Sequence, residues 1–238
     1  MAVALTSEDV QPELRPRLSA LLEVVAVVVV FYALHALLRL LDLGVAMGTL
    51  AILPTLALAT WLLGRRQLTW ASIGFTKPPS LAWLAGWTVA LFLAEMTAPL
   101  LVQPLVRAFD LPPQDLSLFT TLKGNTAAYL VMLIPVSWGM AAFGEELLYR
   151  GFINSRLTDA LGGTTLASML ALILQALLFA SGHAYLGARG MLNAGVLALV
   201  AGACYLACGR RLWPLILAHG LVDSFAMTML YLGLAQPG

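Results

Sequence analysis

The chain reads as an all-α polytopic membrane protein, with about seven or eight transmembrane helices in one bundle. Three observations lead there. Of its 238 residues 61% are hydrophobic and only 11% are charged, against about 25% charged in a soluble domain. Its mean hydropathy is +0.89. Its apolar stretches are long enough to span or nearly span a bilayer, which takes about 20 helical residues.

Residues 1–17 are polar and contain proline, and read as a short tail ahead of a single transmembrane domain over 18–238. Seven apolar segments follow, at 18–41, 46–63, 81–106, 127–149, 165–183, 191–208 and 212–234. The first ends near His35 and Arg39, a basic pair suited to the membrane surface. The second is short and carries Pro54, which predicts a kink. The third carries Pro99 and Pro104 and is expected to break early; it also holds an intramembrane acid, Glu95, which either pairs with a base or lines a cavity. The fourth is expected to continue as helix to about residue 157, past the bilayer surface. Cys204 and Cys208 in the sixth lie one helical turn apart, poorly placed for a disulfide, and read as packing residues.

The basic residues divide unevenly between the two sides of such a bundle. With the N-terminus inside, the cytoplasmic face collects Arg15, Arg17, Arg65, Arg66, Lys77, Arg150, Arg156, Arg210 and Arg211, leaving Arg39, Arg107, Lys123 and Arg189 outside. The positive-inside rule then predicts N-in, C-out. Trp61, Trp70, Trp83, Trp87 and Trp213 near segment ends fit an aromatic belt. A net charge of +1 argues against a nucleic-acid partner. The first apolar run is too long for a cleavable signal peptide. The expected setting is a bacterial inner membrane, with lipid as one partner.

Three polar stations interrupt the apolar C-terminal half. The first is FGEELLYRGF, 143–152. A charge at membrane depth costs roughly 2.5–3.5 kcal/mol on insertion scales, so such residues tend to have a task. At 3.6 residues per turn Glu145 and Glu146 point about 100° apart. Glu146 and Arg150 share a face at i, i+4 and are expected to pair. Glu145 is left without a local partner, a setting that suits a general acid or base. The alternative is a structural ion-pair cluster. Trp138 and Tyr149 flank this station and are candidates to wall a cavity.

The second station is Phe179 and His183 in LLFASGHAYLG, and the third is His219 and Asp223 in LILAHGLVDSF. His219 and Asp223 share a helix face at i, i+4, as metal ligands, as an acid–base pair or as a structural pair. For the stations to meet, the helix carrying Glu145 must project into the cytoplasm, or the fifth segment must start outside the bilayer. His183 lies about 19 residues from the inner end of its helix, roughly 28 Å, while His219 is roughly 10 Å from the inner end of its own.

EELLYR, FASGH and HGLVD, in this order on separate apolar helices, resemble the EExxxR, FxxxH and HxxxN/D motifs of the CPBP family, the CAAX proteases and bacteriocin-processing (Abi) enzymes also called type II CAAX prenyl endopeptidases. The resemblance covers about residues 125–230, with WASIGF at 70–75 a faint echo outside it. It implies an intramembrane endopeptidase with a cavity open to the cytoplasmic side, acting on a membrane-associated protein or peptide. Glu145 would activate water with help from His183. His219 and Asp223 would stabilise the oxyanion or hold a metal, and Glu146, Arg150 and Phe179 would support the site. Asp223 departs from the asparagine usual in the prenyl-protease branch: an amide donates to an oxyanion and an ionised carboxylate does not. No cofactor is fixed by the sequence. Glu145, His183, His219 and Asp223 are candidate ligands for one divalent metal such as zinc, and are equally suited to metal-free chemistry. Two other readings fit the composition: a catalytically idle scaffold that binds partner proteins, and a small transporter or proton relay using Glu95, Glu145 and His183.

Overall fold

A computed structural model describes residues 7–41 and 46–235. Among them the regular structure is entirely helical. The principal helices are α1 (Ser7–Leu40), α2 (Ala46–Arg65), α3 (Leu81–Thr97), α4 (Pro99–Ala108), α5 (Thr126–Ala160), α6 (Thr165–Gly182), α7 (Gly187–Ala207) and α8 (Trp213–Tyr231). Six stretches are long and apolar enough to cross a membrane, with α3 and α4 counted together, and α2 supplies a shorter apolar one. The seven apolar segments therefore correspond to seven helical stretches. Residues 7–17, most of the expected polar tail, are helical and run directly into the apolar part of α1. Residues 1–6 of that tail lie outside the described residues.

Local chemistry sets most helix ends. Ser80, Asn125 and Thr164 cap α3, α5 and α6, each accepting a hydrogen bond from the backbone N–H three residues on. α3 stops at Thr97 because Pro99 starts a new helix, α4, where a missing N–H is harmless. Pro214 plays the same part at the start of α8.

α5 is the exceptional element. Its 35 residues exceed the roughly 20 that a bilayer needs. Its middle, Met132–Ile153, is wound wide with i→i+5 hydrogen bonds, a rare winding that is often found at functional sites. Pro135 has no N–H to donate, and Gly139, Gly144 and Gly151 leave room on the helix surface. At Gly144 a β-carbon would lie 2.6 Å from the Ile52 side chain, so α2 packs there at its closest.

α8 packs between α5 and α3, while α6 packs on α7 and α1 on α2. One apolar core joins α1, α2, the C-terminal half of α5, and α6 through Val27, Ile52, Phe152 and Phe179. A second joins α3, α5, α7 and α8 through Leu91, Leu147, Tyr205 and Leu215. The WASIGF segment ties these together. Gly74 adopts φ +110, and its missing β-carbon would fall 2.4 Å from the Arg210 carbonyl oxygen. The Tyr205 hydroxyl donates to the Ile73 carbonyl at 2.9 Å, and the Leu212 N–H donates to the Gly74 carbonyl at 3.0 Å. That loop thus clamps the turn that launches α8, the helix carrying His219.

Candidate active site

Glu146 is the node of the site. It is 1% exposed, deep in α5. Its Oε1 accepts from Arg150 Nη1 at 2.7 Å, the i, i+4 pair expected from the sequence. The same oxygen accepts from Nδ1 of His219 at 2.9 Å, which joins the first station to the third. That cross-helix bond had no local signature, since helical spacing describes one helix at a time. Glu146 Oε2 is enclosed and has no hydrogen-bond partner among the described residues.

Close helix approach makes the bond between α5 and α8 reachable. Gly220, next to His219, has the Trp138 ring where a side chain would be: a β-carbon would meet it at 2.6 Å. Trp138 Nε1 donates to Ser224 Oγ at 3.0 Å and fixes the ring against α8. Trp138 therefore walls the site, beside His219 and Asp223. Ser137, also buried, lies beside Asp223. Nothing in the sequence marked Ser137, because a lone serine in an apolar helix is commonplace. Asp223 Oδ1 is 3.8 Å from His219 Nε2, a neighbour outside hydrogen-bond range.

The second station joins through aromatic contacts. Phe179 is buried, with the Arg150 guanidinium 4.7 Å above its ring and Tyr149 edge-on at 5.1 Å. His219 meets the same ring at 6.5 Å and His183 at 4.6 Å. Phe179 is the surface on which Arg150 and both histidines gather. Tyr149 belongs to the apolar core behind Phe179.

His183 caps the C-terminus of α6, and its Nδ1–H donates to the Phe179 carbonyl at 2.9 Å. A carbonyl only accepts, so Nε2 carries the lone pair of the neutral ring. His183 of α6 and His219 of α8 meet at the Phe179 ring, so the second and third stations come to one level.

Glu145 is half-buried, and among the described residues no hydrogen bond holds its carboxylate. It lies within electrostatic reach of His219, Asp223, Arg150 and Glu146. His35 stays on α1, stacked one turn beyond Phe31.

No three His, Cys, Asp or Glu side chains among the described residues converge as a ready metal-ligand set. Nδ1 of each station histidine is already committed, to a carbonyl or to a carboxylate. That leaves Nε2 as the nitrogen of each ring with which a metal could be held, the second-shell pattern usual for a ligating histidine.

Residues 127–225 match the family model described as type II CAAX prenyl endopeptidase, Rce1-like. Over these residues, about two fifths of its length, the chain is similar to an Rce1-like domain. This agrees with the resemblance carried by EELLYR, FASGH and HGLVD, and all three stations fall inside the matched residues. No curated protein and no solved structure matches the chain.

Proposed function

We propose that the protein is an intramembrane endopeptidase that hydrolyses a peptide bond of a membrane-associated protein or peptide, with Glu145 as the base that activates water. The observation that carries this reading is the shared oxygen of Glu146, which draws Arg150 and His219 together and leaves the adjacent Glu145 without a hydrogen bond. A structural cluster would have engaged both acids.

The residues divide the work by their donors and acceptors. Glu145 takes a proton from water as it attacks the scissile carbonyl. His183, with its Nε2 lone pair, helps hold that water and relays a proton to the leaving amine. His219 donates Nδ1–H to Glu146, and in its imidazolium form offers Nε2–H to the oxyanion. Asp223 orients His219 from 3.8 Å. Glu146, Arg150 and Phe179 hold the two histidines in place. N-in topology, with the cavity open to the cytoplasm, follows from the basic clusters at Arg65–Arg66 and Arg210–Arg211.

The test is cleavage of a membrane-tethered peptide by the purified protein in detergent. Wild-type protein cleaves it and Glu145→Gln does not. Cleavage that survives Glu145→Gln removes Glu145 from the mechanism. A wild-type protein that cleaves no peptide, yet keeps its cellular phenotype as Glu145→Gln, points to the scaffold reading.

A further inference from the structure

Two tyrosine hydroxyls meet near the end of α6, beside His183, on different terms. Tyr32 of α1 donates to the Leu178 carbonyl at 3.0 Å and lies 2.6 Å from Ser181 Oγ, so its hydrogen bonds are closed. Tyr149 of α5 is 4% exposed, and its hydroxyl has no hydrogen-bond partner among the described residues. A buried tyrosine usually finds a partner for its O–H, because a donor taken out of water without one costs stability.

The ring of Tyr149 belongs to the apolar core, and its hydroxyl emerges at Gly182, the residue before His183. A β-carbon on Gly182 would lie 3.6 Å from Tyr149 Oη, 3.9 Å from Tyr32 Oη and 4.0 Å from the Phe31 ring. These are ordinary contact distances, so the glycine leaves room there for an atom of a ligand. Gly182 and His183 are half-buried and flanked by exposed Ser181 and Ala184, so the space is open on one side.

This space adjoins the site. Tyr149 stands edge-on to Phe179 at 5.1 Å, and the same Phe179 ring meets His183 at 4.6 Å. Glu145 precedes Tyr149 by four residues, as Glu146 precedes Arg150. The Glu146–Arg150 bond at 2.7 Å shows that residues four apart meet on this wide helix, so Glu145 and Tyr149 share a face of α5.

We propose that the space over Gly182 is a substrate subsite, in which the Tyr149 hydroxyl donates a hydrogen bond to a main-chain carbonyl of the peptide beside the scissile bond. The proposal rests on the endopeptidase reading above. A free O–H calls for an acceptor, and a peptide offers one at every residue. The walls, Phe31, Tyr32 and Tyr149, are aromatic and neutral, which suits an uncharged main-chain group. The missing side chain at 182 lets a bound backbone approach closely, a common use of glycine.

The experiment compares full-length wild-type protein with Tyr149→Phe, Gly182→Ala and the double variant in detergent. It measures kcat and KM on the tethered peptide, the thermal midpoint, and the Kd of the same peptide, fluorescently labelled, in a Glu145→Gln background. Tyr149→Phe removes one hydroxyl and keeps the ring. It is expected to raise KM and Kd about two- to tenfold, the scale of one neutral hydrogen bond. With kcat unchanged, such a loss is one of binding shared by ground state and transition state. Gly182→Ala fits the fold, places a methyl group in the space, and should raise KM and Kd at least as much. The two effects should not add, because both remove the same contact.

Wild-type KM and Kd in Tyr149→Phe overturn the proposal. So does a lowered kcat at wild-type KM, or a raised KM that merely follows a lowered thermal midpoint. If wild-type protein cleaves no peptide, the endopeptidase reading fails, while labelled-peptide binding still reports on the subsite. Binding weakened by Tyr149→Phe then keeps the subsite, and equal or absent binding removes it.

Discussion

Two charge clusters, one that joins α1, α2 and α5 and one at the site, obey different rules. At the first, Glu23 of α1 accepts from Arg66 Nε at 2.5 Å through Oε1 and from Arg156 Nε at 2.9 Å through Oε2. Arg156 also reaches Asp159 at 2.7 Å, and Arg66 donates to Ser19. Both oxygens of Glu23 are used, and three helices are tied by the result. At the second, Glu146 takes both Arg150 and His219 on one oxygen, with Asp223 beside His219, while its Oε2 is enclosed without a hydrogen-bond partner among the described residues. A cluster that serves only to hold helices together closes its hydrogen bonds. One that leaves an oxygen open, at the cost of burial, is a candidate for chemistry.

Substitutions can break this contrast. The largest effect is expected from Glu145→Gln, a loss of cleavage of about 10²–10⁴-fold, the range of a general base, at an unchanged thermal midpoint. A comparable loss of stability in that variant would move Glu145 into the structural class.

Next comes Arg150→Met, which strands Glu146 and is expected to lower unfolding stability by about 3–5 kcal/mol. The double variant Glu146→Leu with Arg150→Met should regain much of that stability yet stay inactive, because His219 has lost its acceptor. Denaturation in detergent and the peptide assay read the two halves separately.

A smaller effect is expected at Asp223. Asp223→Asn restores the amide of the prenyl-protease pattern and should keep or raise the cleavage rate. A rate that collapses shows that the carboxylate itself is needed. Chelation bears on the same question: dialysis of the protein against a zinc chelator should leave cleavage unchanged, and a loss restored by zinc would give Asp223 and the histidines a metal to hold.

The smallest catalytic effect belongs to the saturated cluster. Glu23→Gln should destabilise the fold by about 1–3 kcal/mol, the cost of weakening a buried charge-assisted pair, and leave the rate per folded molecule as it was.

Much of this site was legible in the sequence, for a definite reason. In an apolar helix a charged residue stands out, so Glu95, Glu145, Glu146, Arg150, His183, His219 and Asp223 could be picked without a structure. Helical spacing then paired Glu146 with Arg150, a bond that the fold contains at 2.7 Å. Spacing also set Glu145 apart as the acid without a local partner. The early break at Pro99 and the overrun of α5 were readable for similar local reasons. Two features were not readable locally. Residues 7–17 are helical although their composition resembles a tail, since α1 continues through its polar start. Gly74 carries no charge and no period, and its necessity shows only when Arg210 comes within 2.4 Å of its missing side chain.

The sequence by itself determined that this is a helical membrane protein with three polar stations, because bilayer length and helical period are written in runs of neighbouring residues. Tertiary structure decided how the stations are joined. That His219 shares an oxygen with Arg150 and that Phe179 carries both histidines depend on how α8 lies against α5 and α6. Such contacts are set by which helix faces meet, and no single stretch of sequence contains both faces.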